Sequence, residues 1–254
     1  MELLHYTVMA LILAAGATLH SAAGFGYALL SVNLLLLAGV EPYRAIPMVT
    51  VSTLVQSVAG LWHLRREVPW RSVLPALALV ALSMPLGVWA LGRLAALDAT
   101  EIRQVFGGVL LVVLAVHWSW RPRPRPRVHP LWTAAAVLSG GFLGGLCGMG
   151  GPPLVLWVMA HEWSSERTRV TLWTLFMAMT PIGLLFFYGR FGPPVLEAAG
   201  LAVLFIPAVL LGTWPGIWVG NRIPKPALRR LAMALLVIIA LFMLLQPLLA
   251  GQRS

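Results

Sequence analysis

The sequence predicts an all-α polytopic membrane protein made of two inverted repeats, and three observations support this prediction. The chain is 59% hydrophobic and only 10% charged, with a mean hydropathy of +0.87, values typical of polytopic membrane proteins. Clusters of glycine interrupt the apolar sequence at two places, and the two interruptions align with each other. Each repeat is predicted to contain a Gly-rich broken helix or re-entrant hairpin plus three spanning helices.

Ten apolar segments are predicted as helices. Most approach the ~20 residues that cross ~30 Å of hydrocarbon, whereas the second and seventh are too short to span. Because no basic region precedes the apolar run at the N-terminus, we predict a first membrane segment rather than a cleavable signal. The segments are residues 4–23, 27–40, 43–64, 72–91, 102–120, 131–147, 152–161, 168–188, 196–220 and 227–249.

A charged linker divides the two halves. Residues 121–130 alternate arginine with proline, a pattern that cannot be helical. The predicted domains are therefore an N-terminal membrane repeat at 1–120, the linker at 121–130 and a C-terminal membrane repeat at 131–254.

Arginine placement predicts the orientation of the chain. If the arginines of the linker, at 121–127, are cytoplasmic, most other basic residues near segment ends also fall inside, as the positive-inside rule requires. Both termini then lie outside. An odd number of crossings in each half follows from this arrangement, so the halves are predicted to be inverted.

The densest glycine cluster is Ser139–Pro153, which contains seven glycines and ends in a proline pair. Glycine permits positive φ and close backbone approach, and proline fits the first turn of a helix. We expect one helix to end near Cys147–Gly151 and the next to start at Pro152, with backbone N–H groups free at the break. Such a helix start attracts anions.

An earlier stretch, His20–Tyr27, is a weaker version of this break. At one constant spacing the aligned pairs are Gly16 with Gly140, Gly24 with Gly148, Gly26 with Gly150, and Thr50 with Thr174. At a slightly larger spacing, residues 87–93 resemble 216–222. This indicates an internal duplication, and paired interrupted segments are the pattern that marks a transporter's binding site. The alternative is that these glycines serve only helix packing through GxxxG spacing.

The motifs resemble those of the sulfite exporter TauE/SafE family of bacterial membrane transporters. Gly148-Met-Gly-Gly151 resembles that family's glycine motif, and Glu41-Pro-Tyr-Arg-Ala45, followed by hydroxyl residues, resembles its first-half turn and helix. The chain departs from the pattern at Gly24-Phe-Gly-Tyr27, where tyrosine replaces a glycine, and at Pro47 and Met48. The resemblance implies a bacterial inner-membrane transporter of sulfite or another small organosulfur anion.

The candidate binding residues are neutral, because every ionisable side chain falls at a predicted segment end. A small anion would then be held by backbone N–H groups and hydroxyls. The alternative role for each hydroxyl is a bond to the carbonyl four residues earlier. His20 is the candidate proton carrier, with an interhelical structural role left open. The predicted substrate-binding residues are Gly24, Gly26, Thr50, Thr53, Gly148, Gly150, Gly151, Thr171 and Thr174.

We therefore predict a non-enzymatic transporter that works by alternating access at a midplane site between the repeats. No cofactor or metal is predicted, and the single cysteine, Cys147, permits no internal disulfide. The net charge of +10 indicates cytoplasmic loop charge rather than nucleic-acid binding, since aromatics do not alternate with the arginines. The alternatives are an intramembrane enzyme and a non-transporting accessory subunit. Coupling ion, direction and oligomeric state stay open.

Overall fold

Helices make up nearly all of the described chain. The computed structural model describes residues 2–61, 68–120 and 122–250, and eleven helices cover most of those ranges. They are α1 (Glu2–Ala23), α2 (Tyr27–Leu37), α3 (Pro42–Leu61), α4 (Trp70–Leu94), α5 (Ala99–Ser119), α6 (Pro130–Cys147), α7 (Gly151–Met159), α8 (Ser165–Phe191), α9 (Pro194–Leu204), α10 (Ile206–Arg222) and α11 (Lys225–Ala250).

Within the described ranges, six helices are long and apolar enough to cross a membrane: α1, α4, α5, α6, α8 and α11. The pair α9 and α10 would form a seventh span, bent by 52°. Leucine and tryptophan side chains on several of these helices are exposed, as lipid-facing residues are. These features confirm the predicted all-α polytopic membrane protein.

The structure corrects the prediction that residues 196–220 form one continuous helix. α9 ends at Leu204 and α10 begins at Ile206, with the 52° bend between them. Pro207 lies in the first turn of α10. A proline has no N–H for the preceding helical turn and its ring clashes with that turn, so the bend follows from Pro207.

The helices that follow the two glycine interruptions are short, as predicted. α2 has 11 residues and α7 has 9, which correspond to about 17 Å and about 14 Å of helix, against ~30 Å of hydrocarbon. α3 has 20 residues but is not among the six candidate spans, because polar residues between Arg44 and Ser57 interrupt it. Whether α2, α3 and α7 cross the bilayer stays a prediction.

The chain divides into two compact units, and each draws helices from both sides of the linker. Unit 1 consists of Met1–Ser52, Leu94–Val116 and Ala198–Ser254, and unit 2 of Thr53–Arg93 and His117–Glu197. These units reflect packing, whereas the predicted repeats at 1–120 and 131–254 concern sequence duplication. The repeat boundaries therefore stay a prediction.

In unit 1, α10 packs closely along α1 through glycines spaced by four residues. A Cβ at Gly212 would overlap the Ala14 carbonyl oxygen, and a Cβ at Gly216 would overlap the Thr18 carbonyl oxygen. The Thr18 hydroxyl donates to the Gly212 carbonyl (2.7 Å). Small residues thus let the two backbones touch, as in other membrane helix pairs.

In unit 2, α4 and α6 approach each other in a similar way. A Cβ at Gly87 of α4 would overlap the Phe142 carbonyl oxygen, and a Cβ at Gly145 of α6 would overlap the Met84 carbonyl oxygen. Glycines on both helices therefore set this contact. The GxxxG interpretation is thus supported for Gly145, whose position serves packing.

Candidate functional site

The glycine cluster of the second half forms the predicted helix break. α6 ends just before Gly148, which adopts a left-handed conformation (φ 71°) and donates its N–H to the Gly144 carbonyl (3.1 Å). The Met149 N–H donates to the Leu143 carbonyl (3.2 Å), and α7 begins at Gly151. These bonds give the Leu143 and Gly144 carbonyls acceptor roles beyond the last turn of α6, and glycine suits the positive φ.

The first turn of α7 offers fewer donors than the sequence predicts. The first four N–H groups of a helix have no intrahelical acceptor. Two of these positions in α7 are Pro152 and Pro153, which carry no N–H. Counting from the N-cap Gly150, the N–H groups of Gly150 and Gly151 remain, so this break presents only two such donors to an anion.

Backbone atoms cross tightly at Gly150. A Cβ there would overlap the Gly140 carbonyl oxygen and lie 3.2 Å from Gly144 Cα. Its own dihedral angles, φ −68° and ψ −16°, are helical, so close approach and not unusual backbone geometry requires glycine at this position.

The side chains beside this break are apolar. The position of a Cβ on Gly144 lies 3.3 Å from the methyl group of Met179 and 3.5 Å from that of Met84, and that of Gly151 lies 3.7 Å from the Phe176 ring. These neighbours provide packing but no hydrogen-bond donor. The second-half break is thus a close-packed turn in apolar surroundings.

The predicted threonines of α8 are buried, and each hydroxyl is already bonded. Thr171 donates to the Arg167 carbonyl and Thr174 to the Val170 carbonyl, both at 2.8 Å. Each hydroxyl has a single proton, and these bonds use it. To donate to an anion, either threonine would have to release its carbonyl four residues earlier.

The first half contains the second break, in unit 1. Gly24 (φ 80°) follows α1 and donates its N–H to the His20 carbonyl (2.7 Å), and Gly26 (φ 98°) caps the start of α2. No proline occurs in the first turn of α2. Its residues therefore keep their N–H groups, which have no intrahelical acceptor: Tyr27, Ala28 and Leu29.

Buried polar atoms without partners lie beside this first-half break. Tyr27 is 3% exposed and Ser31 is fully buried, yet neither hydroxyl makes a hydrogen bond within the described chain. Nδ1 of His20 is also buried and without a partner. Tyr27 lies near Ser52, whose hydroxyl donates to the Met48 carbonyl (2.9 Å) and keeps an oxygen that can accept from the Tyr27 hydroxyl. The group formed by His20, Tyr27 and Ser31 is called the polar cluster below.

Gly16 of α1 lets the Tyr27 and Ser31 side chains of α2 pack against the backbone of α1. A Cβ at Gly16 would overlap Ser31 Oγ and lie 3.2 Å from the Tyr27 ring. The rings of His20 and Tyr27 meet edge to face, with centroids 6.4 Å apart. The sequence singled out His20 but not Ser31. The signal for Ser31 was its i+4 spacing from Tyr27, which places both on one face of α2.

Thr50 and Thr53 of α3 lie in different compact units, Thr50 in unit 1 and Thr53 in unit 2. Thr50 is half-buried and donates to the Ile46 carbonyl (2.7 Å). Thr53 is half-buried as well. Of the other predicted site residues, unit 1 contains His20, Gly24 and Gly26, and unit 2 contains Gly148, Gly150, Gly151, Thr171 and Thr174.

One arginine that the sequence analysis did not assign to a site acts on α2 from its far end. Arg103 of α5 is half-buried, and its Nε donates to the Leu36 carbonyl (3.1 Å) in the last turn of α2. A second nitrogen donates to Gln246 (3.3 Å). A cation at a helix C-terminus is stabilising, so Arg103 fixes the end of α2 opposite the polar cluster.

The described part of the linker is hydrogen-bonded to the α7–α8 loop in unit 2. Arg125 donates its N–H to the Ala160 carbonyl (2.9 Å) and accepts from the Glu162 N–H (3.1 Å). His161 stacks on Trp163, with ring centroids 4.1 Å apart. Burial, with a smaller contribution from the positive charge of Arg167, lowers the pKa of His161 below its ordinary 6.5.

Metal chemistry has no candidate among the residues described. Those residues contain no group of three or more His, Cys, Asp or Glu side chains that could hold a metal ion. The chemistry that the two breaks offer is hydrogen bonding by neutral donors.

In comparisons with known proteins, a family profile and a relative each match most of this chain. The profile described as "Sulfite exporter TauE/SafE" matches residues 8–243. A "Probable sulfite/organosulfonate exporter TauE" from Cupriavidus necator is 26% identical over 234 residues, covering 89% of this chain and 88% of the relative. No solved structure matches the chain.

Proposed function

Because the chain belongs to the sulfite exporter TauE/SafE family, we propose that it moves a small anion, sulfite or an organosulfur acid, across the bacterial inner membrane. The chain is a multi-pass membrane protein of a transporter family. The name of the Cupriavidus necator relative specifies sulfite and organosulfonate, and this supports the substrate class.

The pair of helix breaks is the observation that carries this proposal. One break follows α1 and the other follows α6, and each depends on glycines with positive φ, at Gly24, Gly26 and Gly148. Each leaves a helix start inside apolar sequence, where the positive end of the helix dipole favours an anion. Weak binding by neutral groups also allows release, which transport requires.

The packing within each unit supports the proposed duplication. Gly216 meets the Thr18 carbonyl in unit 1, and Gly87 meets the Phe142 carbonyl in unit 2. Gly87 and Gly216 occupy matching sequence segments, and Thr18 and Phe142 match at the spacing that aligns Gly16 with Gly140. Equivalent residues thus make equivalent contacts, as expected for repeats that alternate access to a midplane site.

The proposed orientation places the linker in the cytoplasm and both termini in the periplasm, following the positive-inside rule. His20 is the proposed proton carrier, because an imidazole lies beside the first-half break and imidazole is the side chain suited to proton exchange at physiological pH. Coupling to a proton gradient would follow from binding and release of a proton at this ring.

The test is uptake of radiolabelled sulfite, sulfate, thiosulfate and a sulfonate into proteoliposomes, with and without a pH gradient. We expect saturable flux of at least one sulfur anion. Gly148→Val should abolish this flux, because a β-branched residue is strained at φ 71°. Gly200→Val, at a glycine with no neighbour within 4 Å, is the matched control and should retain flux.

Three outcomes would correct the proposal. Folded protein that carries none of the four anions would refute the substrate class. That outcome would favour the alternative of a non-transporting accessory subunit. Flux that is unchanged in Gly148→Val would refute the role of the break. Flux of His20→Asn that still responds fully to the gradient would refute proton coupling through His20.

A further inference from the structure

The two breaks differ in their chemistry, although in each a glycine with positive φ, Gly24 or Gly148, directly follows the first helix. Beside the second-half break lie Met84, Met179 and Phe176. Beside the first-half break lie the polar cluster residues and the buried Ser52. At the spacing that aligns the breaks, Ser31 corresponds to Val155 and His20 to Gly144, so the polar side chains of the first half have no polar counterpart.

Unpartnered hydroxyls are costly in this setting. A buried donor without an acceptor loses the hydrogen bonds that it made to water in the unfolded chain, and apolar surroundings give no alternative acceptor. Here two hydroxyls and one imidazole nitrogen lack hydrogen-bond partners where α1 packs against the first turns of α2. Such a concentration indicates a molecule that supplies the acceptors.

The donors point to an anion rather than to a cation or a neutral solute. The hydroxyls of Tyr27 and Ser31 each have a free proton, and Nδ1 of His20 can carry one. The free N–H groups at the start of α2 lie at the same end of that helix. No carboxylate is present in the cluster, so a cation would find no counter-charge there.

We propose that the polar cluster of His20, Tyr27 and Ser31 supplies the side-chain donors of this transporter's oxyanion-binding site, whereas the Gly148–Gly151 break supplies no side-chain donor. This assignment rests on the proposed function. The bound group is a sulfur oxyanion, whose ionised oxygens accept hydrogen bonds. At the spacing that aligns the breaks, Tyr27 corresponds to Gly151, so its hydroxyl has no counterpart in the second half.

The experiment compares Ser31→Ala and Tyr27→Phe with wild type for whichever sulfur anion the wild type carries. Each variant removes one hydroxyl that makes no bond in the protein, so thermal stability in detergent should be unchanged or higher. KM should rise about tenfold to a hundredfold, since a hydrogen bond to a charged group contributes about 1.5–3 kcal/mol. A purely structural role would not produce this combination.

The second half provides the matched controls. Val155→Ala, at the position corresponding to Ser31, should leave KM within about twofold. Ser83→Ala removes a hydroxyl that is bonded to the Leu79 carbonyl (3.1 Å). It should lower the melting temperature while leaving KM unchanged. Tyr188→Phe, on a partly exposed tyrosine of α8, controls for loss of a tyrosine hydroxyl.

The outcomes separate this inference from the proposed function. If the wild type carries a sulfur anion but Ser31→Ala and Tyr27→Phe keep its KM, the inference is wrong and the proposed function stands. If the wild type carries none, sulfite protection against thermal unfolding decides the binding site. Protection that is lost in both variants supports the site, and absence of protection in the wild type refutes it.

Discussion

Replacing Gly150 with alanine is expected to destabilise the second-half break, because the new methyl group would overlap backbone atoms of α6. A Cβ at this position would overlap the Gly140 carbonyl oxygen and lie 3.2 Å from both Cα and N of Gly144. All three neighbours are backbone atoms, so no side-chain rotation can relieve the overlap.

The size of the effect follows from two opposing contributions. Overpacking costs about 1–3 kcal/mol, and contact with backbone favours the upper end. Replacing glycine by alanine in a helical conformation stabilises the folded state by about 0.4–1 kcal/mol, because alanine lowers the conformational entropy of the unfolded chain. The expected net loss is about 2 kcal/mol, which lowers the melting temperature by roughly 4–8 °C in a chain of this size.

Gly151→Ala is the matched control, one residue further along. Its Cβ would lie 3.7 Å from the Phe176 ring, an ordinary van der Waals distance. We expect its stability to stay within about 1 kcal/mol of wild type. Thermal unfolding of both variants in one detergent compares them. Equal melting temperatures for Gly150→Ala and wild type, or an equal fall for both variants, would refute the close-approach argument.

Three further predictions concern other parts of the fold. Gly216→Ala should destabilise unit 1 by about 1–3 kcal/mol because its Cβ would overlap the Thr18 carbonyl; Gly200→Ala, with open space around it, should not, and equal melting temperatures would contradict this. Arg103→Gln should cost about 1–2 kcal/mol by removing the cation from the C-terminus of α2, measured by thermal unfolding; no loss would show that this contact is not stabilising. Because the pKa of His161 is lowered in the folded chain, the unfolded chain binds its proton more readily, so the contribution of His161 is favourable above about pH 6.5 and is lost as the pH falls; His161→Gln should flatten that part of the stability profile, and an unchanged profile would contradict it.

The sequence predicted the positions of the helix breaks well, because their causes are local. Gly148 and Gly24 adopt the positive φ that only glycine adopts freely. The short lengths of α2 and α7 followed from the spacing of turn signals. The bend before α10 was missed, although Pro207 stood in the sequence as its signal.

The chemistry of the site was less predictable, because it depends on tertiary burial. Ser31 looked like one small residue in an apolar segment, and only the packing of α2 against Gly16 shows that its hydroxyl is buried without a partner. The proline pair at 152 and 153 lies in the first turn of α7, as expected, but it leaves fewer free N–H groups at this break than an anion site there needs. The first-half break, which the sequence ranked as the weaker one, therefore has the richer set of donors.

The division of the chain into packing units could not be read from the linker. The linker at residues 121–130 separates the sequence halves, yet each compact unit combines helices from both. Pairing of α1 with α10 and of α6 with α4 depends on glycine contacts between helices that are far apart in sequence.

The measurement that tests the central claim most directly is sulfite counterflow in proteoliposomes. Vesicles loaded with unlabelled sulfite are diluted into labelled sulfite, so that a carrier concentrates label inside without any external energy source. The proposed function predicts a transient overshoot in vesicles containing the wild type and none in empty vesicles. Folded wild-type protein that gives no overshoot with sulfite, thiosulfate or a sulfonate would contradict the assignment of this chain as a sulfur-anion transporter.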